Sequence, residues 1–136
     1  MKKIILNIIL FLLSLNLSAQ SPAYPKDTPK VIITANGIEK GNNKVTKEQL
    51  LKAQELIIKS KLSKYEILGF DVNYSNREGT FIRKNNASLF NETTINAIKS
   101  VEIGGIIIFN NIQVKETKAE SKTITISEPL IYKIIE

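Results

Sequence analysis

Leu68-Gly69-Phe70-Asp71-Val72-Asn73-Tyr74 places Leu68, Phe70, Val72 and Tyr74 on one side of an extended chain and Gly69, Asp71 and Asn73 on the other. Side chains of a strand alternate between two faces, so this stretch predicts a half-buried β-strand. Asn76-Arg77-Glu78-Gly79 follows as a turn, with a glycine available for positive φ. Thr80-Phe81-Ile82-Arg83 then returns as the hairpin partner.

Upstream of the hairpin the period changes to that of a helix. Thr46 and Gln49 have capping-box spacing, in which hydroxyl and amide each satisfy a backbone donor of the first helical turn. Leu50, Ala53, Leu56, Ile57 and Ser60 would fall on adjacent turns of that helix, flanked by the pairs Glu48-Lys52 and Glu55-Lys59. Before it, Val31-Ile32-Ile33-Thr34 is a β-branched run halted by Asn36-Gly37 and by Gly41-Asn42-Asn43, which predicts a first strand.

Downstream, a short helix capped by Asn91 or Thr93 turns Ile95, Ile98 and Val101 inward and stops at Gly104-Gly105. Ile106 to Val114 is the longest strand signal, and Lys115 to Lys122 is a polar hairpin tip. Thr123 to Ser127 and Leu130 to Ile135 add two strands, separated by Pro129, which cannot sit in a central ladder. The resulting order, βαββαβββ, predicts an α+β domain: a mainly antiparallel sheet or sandwich with two short helices.

Outside residues 31–136 the chain reads differently. Lys2 and Lys3 precede an apolar run from Ile4 to Leu17, and Leu17-Ser18-Ala19 ends in a small residue. This is the pattern of a cleaved export signal over residues 1–19, and the run is shorter than the roughly 20 apolar residues a membrane span requires. Retention as an N-terminal anchor is the alternative. Gln20 to Lys30 holds Pro22, Pro25 and Pro29 and reads as a linker. The product is expected to be periplasmic or secreted, with no stable membrane span after cleavage.

Composition narrows the chemistry. The 136 residues, 43% hydrophobic and 24% charged, suit one folded domain. The chain contains 0 His and 0 Cys, which removes imidazole base catalysis, thiol nucleophiles, disulfides and thiolate or imidazole metal sites. Its net charge of +6 falls to +4 without Lys2 and Lys3. The remaining basic residues are interspersed with Glu, as on a solvated surface, and no nucleic-acid partner is expected.

Carboxylates remain as candidate catalysts: Glu66, Asp71, Glu78, Glu92 and Glu102 could supply the acid and base of a small hydrolase, although none forms a motif. Asp71-Val72-Asn73 offers oxygen ligands without the order of a calcium loop, and Gly104-Gly105 reads as a turn, not a phosphate cradle. The sequons at Asn73, Asn86 and Asn91 would matter only in a eukaryotic secretory pathway. No catalytic, cofactor-binding or metal site is expected.

Five stretches carry a resemblance: Val45-Thr46-Lys47-Glu48-Gln49-Leu50, Leu68 to Tyr74, Asn91 to Lys99, Gly104 followed by Ile108-Phe109-Asn110-Asn111-Ile112, and Ile131-Tyr132-Lys133-Ile134. In order and spacing they resemble the C-terminal domain of the gliding-motility protein GldM. The resemblance implies a periplasmic Bacteroidota domain used for protein contact, related to the partner-facing end of a type IX secretion and gliding shaft. Asn110-Asn111 replaces that family's acidic pair, and Lys115 to Lys122 replaces its hairpin. The expected role is therefore a stand-alone, non-enzymatic interaction domain that binds another envelope protein. The alternatives are a small carboxylate-dependent hydrolase and an inhibitor-like or adhesion module; homo-oligomerisation stays open. An exposed sheet edge would serve for contact, with Ile106 to Val114 and Ile131 to Ile135 as candidates unless both are internal strands.

Overall fold

A computed structural model describes residues 29–118 and 120–136. The export signal and the linker up to Thr28 lie outside the described residues. The fold is α+β and sheet-dominated. Its elements are β1 (Val31–Ala35), β2 (Lys44–Thr46), α1 (Lys47–Ala53), β3 (Leu56–Ser60), β4 (Tyr65–Asn76), β5 (Gly79–Asn85), α2 (Glu92–Ser100), β6 (Ile106–Glu116), β7 (Thr123–Ile126) and β8 (Leu130–Ile135). β1 and β3 form a two-stranded antiparallel sheet. The larger sheet has the order β2-β8-β6-β4-β5, and β7 also pairs with β6. Every pairing in it is antiparallel except β2 with β8.

The capping box forms as read: the Gln49 N–H donates to Thr46 Oγ1 at 3.0 Å, and the Thr46 N–H donates to Gln49 Oε1 at 2.8 Å. The helix it starts is shorter than the pattern predicts. Gln54 takes a left-handed conformation with φ 64°, and Leu56, Ile57 and Ser60, expected on later turns, belong to β3. Leu56-Ile57-Ile58 is aliphatic and partly β-branched, and pairing with β1 gives it a ladder that a further helical turn would lack. Glu55 and Lys59 are accordingly not a helical pair. β2 and β3 together change the expected order to ββαβββαβββ.

The hairpin of β4 and β5 and the helix capped by Asn91 are where the sequence places them. The face assignment within β4 needs correcting. Ile67, Phe70 and Val72 are buried, whereas Leu68 is half-buried. Ile67 pairs with Val114, Gly69 with Gln113 and Asp71 with Asn110, so β4 holds an extra residue at the first step and β6 an extra one at the second. These are two adjacent β-bulges on facing strands. Each switches the side-chain parity of its strand, so Ile107 and Phe109 before the bulge and Ile112 and Val114 after it all face the core. Asn111, at φ 47°, takes the left-handed conformation the second bulge needs, one that asparagine tolerates better than most residues.

The core lies between the inner face of the large sheet, both helices and the small sheet. Phe109 is its centre: its ring stands 5.5 Å from Phe70, 5.7 Å from Phe90 and 6.1 Å from Tyr132. Offset and edge-to-face aromatic contacts of this kind add to the area they bury. Two polar residues, Asn85 and Thr94, are fully enclosed beside them and bond to each other. Asn85, 0% exposed, donates from Nδ2 to the carbonyls of Ala87 and Leu89 and accepts at Oδ1 from the Asn91 N–H and the Thr94 hydroxyl, all at 2.8 Å. Both donors and both lone-pair directions are used, which fixes the loop from β5 into α2.

The edge expectation fails for β6, and for β8 it holds only over Leu130–Tyr132, which have no second strand partner among the described residues. β6 is internal, bonded to β4 on one side and to β8 and β7 on the other. β8 is bonded to β6 and, over its last three residues, to β2. The ends of the large sheet are instead β2 and β5, and β1 is one of the two edges of the small sheet.

Candidate interaction surface

The inner face of the large sheet carries Phe70, Val72, Ile107, Phe109, Tyr132 and Ile134, all buried. Alternation places Asn73, Ile108, Ile131 and Ile82 on the opposite, outer face. Asn73 stands beside Ile82 and Ile108 in the register, and Ile108 beside Ile131, which makes one row across four strands. A second row runs Ile106, Lys133, Lys44. Ile82 is 65% exposed, Ile106 49% and Ile131 44%, and no helix or strand among the described residues covers them. Single exposed aliphatic residues are ordinary, but Ile106, Ile108 and Ile131 adjoin on β6 and β8, and a contiguous set of that kind marks a contact surface.

The middle of this face is polar. Asp71 pairs in register with Lys84 and Asn110, and its Oδ2 accepts from Asn111 Nδ2 at 2.9 Å. The bulge on β6 thus brings Asn111 onto a carboxylate on the neighbouring strand. Asn73 Oδ1 and Asn110 Oδ1 are buried without a hydrogen-bond partner. One carboxylate and two free amide oxygens form an oxygen-rich spot, while Lys84 in the adjoining position opposes a divalent cation there.

The carboxylates singled out in the sequence do not gather. Glu66 is exposed on β4, opposite Lys115 in register. Glu78 is exposed in the β4–β5 turn, and Glu92 is exposed on the first turn of α2. Glu102 is exposed beyond α2 and pairs with Arg77. Of the three best-formed surface clefts among the described residues, one is lined by Asp71 and none by the other four. Gly104-Gly105 is a turn, as read: the Gly104 N–H donates to the Ile134 carbonyl at 2.7 Å and the Gly105 N–H to the Glu102 carbonyl at 2.9 Å, leaving neither for a phosphate.

A cleft of about 330 Å³ lies between β1, the loop 39–43 and the bend joining β7 to β8. Ile112, Ile126 and Leu130 are among the residues that line it, together with Glu39 and Glu128, both exposed. Nothing in the sequence links these two acids, which lie on segments far apart in the chain. Tyr132 stands at its inner end, where its hydroxyl accepts the Ala35 N–H at 3.0 Å. Burial pushes the Tyr132 phenol above its ordinary pKa, and the Ala35 bond offsets part of that. No helix among the described residues is long and apolar enough to cross a membrane. No protein-family model and no curated protein matches this chain.

Proposed function

We propose that this chain is an exported, non-enzymatic interaction domain of the bacterial cell envelope, periplasmic or secreted, that binds another envelope protein through the outer face of its large sheet. The observation that carries the reading is the set of isoleucines there: Ile108 and Ile131 side by side, Ile106 next to them and Ile82 across Asn73. Burying such side chains against a partner is worth about 25 cal/mol per Å² removed from water. The signal-like N-terminus and the resemblance to the GldM C-terminal domain support the same assignment, and that resemblance connects the chain to gliding and type IX secretion.

Photo-crosslinking from the envelope tests it. A crosslinking amino acid at Ile82 or Ile108 should give a discrete protein adduct, and one at Leu62, 95% exposed on the β3–β4 connection, should not. Equal labelling from all three positions, or none from any together with substrate turnover by the purified protein, would refute the assignment.

A further inference from the structure

The free edge of β1 has a polarity that the pairing with β3 determines. The Asn36 N–H donates to the Glu55 carbonyl at 3.0 Å, one step beyond the pair of Ala35 with Leu56. In an antiparallel ladder hydrogen-bonded and non-hydrogen-bonded pairs alternate. Thr34 and Ile32 therefore bond to β3, while Ala35, Ile33 and Val31 direct their N–H and C=O groups the other way. Ala35 bears this out, because its N–H reaches the Tyr132 hydroxyl. The same edge carries Ile33 and Val31 into the cleft described above, where their four main-chain groups have no backbone partner among the described residues.

This edge is also undefended. Exposed edge strands are ordinarily blunted by charges, proline or a bulge. β5 follows that rule, with Arg83 and Lys84. β1, Val31-Ile32-Ile33-Thr34-Ala35, carries no charge and no proline, and it borders a cleft lined in part by the aliphatic Ile112, Ile126 and Leu130.

We propose that this cleft accepts a single extended segment of another protein, which adds to β1 as an antiparallel or parallel strand. Main-chain bonds to Val31 and Ile33 would hold the segment, alternate aliphatic side chains would rest on the cleft wall, and a basic residue would meet Glu39 and Glu128. The chain is net positive, yet the charged residues lining the cleft are Glu39, Glu128 and one lysine, Lys40. A second copy is a poor occupant. The edge of β1 looks onto β8 through Tyr132, so the incoming strand has no room for a neighbour of its own, and β1 of another copy already has β3 beside it. The cleft meets the outer-face row at Ile131, which lines it, but Ile82 and Ile108 lie outside it, so crosslinking from those two positions and binding at the β1 edge can fail independently.

The test uses the full chain and a synthetic probe, Lys-Val-Thr-Val-Thr-Val-Lys, followed by amide hydrogen exchange. Binding should slow exchange at Val31 and Ile33 and leave Ile32 and Thr34, already bonded to β3, unchanged. N-methylation of the two probe amides that face β1 should weaken binding roughly 30-fold, the loss of two main-chain bonds at ordinary net strength. Glu39→Lys with Glu128→Lys should weaken it about three- to tenfold, as rim charges do. Four results would overturn the proposal: no protection of Val31 and Ile33 by the probe, uniform protection of all four amides, equal binding of the N-methylated probe, or amides already slow in the free chain. In the last case, independence of protein concentration would assign the edge to the chain's own N-terminal residues, and dependence on it to a second copy.

Discussion

Replacing Asn85, the last residue of β5, with alanine should be among the most damaging single changes to the connection from β5 into α2. Four hydrogen bonds converge on this buried amide, two given to the Ala87 and Leu89 carbonyls and two received from Asn91 and Thr94. At about 1 kcal/mol net for each, with more where a buried group is left unpaired, the loss is roughly 3–5 kcal/mol. That is a large part of the roughly 5–15 kcal/mol a domain has in total. Urea unfolding followed by far-ultraviolet circular dichroism should show a lower midpoint with an unchanged slope, since the exposed surface is the same. Thr94→Val alone should cost about 1 kcal/mol, and the double variant less than the sum, because both changes break the same bond. A cost below about 1 kcal/mol for Asn85→Ala would mean that water satisfies these groups, and the reasoning about the loop would fall.

Three further outcomes follow from single positions. Gly69→Ala should destabilise by about 1–3 kcal/mol in the same unfolding assay, because the new Cβ would sit 2.7 Å from the Asn85 carbonyl oxygen, which backbone holds in place. Gln54→Gly should stabilise by several tenths of a kcal/mol, since an exposed residue at φ 64° gains from losing its Cβ. Tyr132 gives a pH signature. Its folded pKa is raised above the ordinary 10.0, so its contribution is complete below that value and is lost as pH rises through the folded one. Stability measured from about pH 8 to about pH 12 should fall less steeply at the alkaline end in Tyr132→Phe, which should also cost about 1 kcal/mol at neutral pH for the bond to Ala35.

What the sequence disclosed was local. The capping box at Thr46 and Gln49, the cap at Asn91, the turn at Gly79 and the break at Gly104 each depend on neighbours a few residues away, and each forms as read. Leu56 to Ser60 did not yield to the same reading. Its aliphatic residues fit a helical stripe continuing from Leu50 and Ala53 as well as they fit a strand, and what decides between the two is β1, more than twenty residues earlier in the chain. Leu68 was misplaced for a related reason. A bulge shifts parity by one residue, and the need for one on β4 arises from its register with β6. Asn85 is hidden more completely, because a run of asparagines reads as solvated loop until the chain folds back and encloses one of them.

The contact surfaces sort along the same line. The isoleucines of the outer face are visible as letters, but Ile82, Ile108 and Ile131 become neighbours only through the order β5-β4-β6-β8, which places strands from different parts of the chain side by side. The edge of β1 is less visible still, because it consists of backbone groups that every residue has. Whether Ile33 faces β3 or the cleft is settled by the phase of a ladder, and a shift of one residue would exchange the free set for Ile32 and Thr34. An undefended edge is thus a property of pairing and not of composition. It follows that substitutions preserving the β-branched character of β1 but altering its register against β3 should move the protected amides by one position. Substitutions that alter side chains alone should leave them where they are.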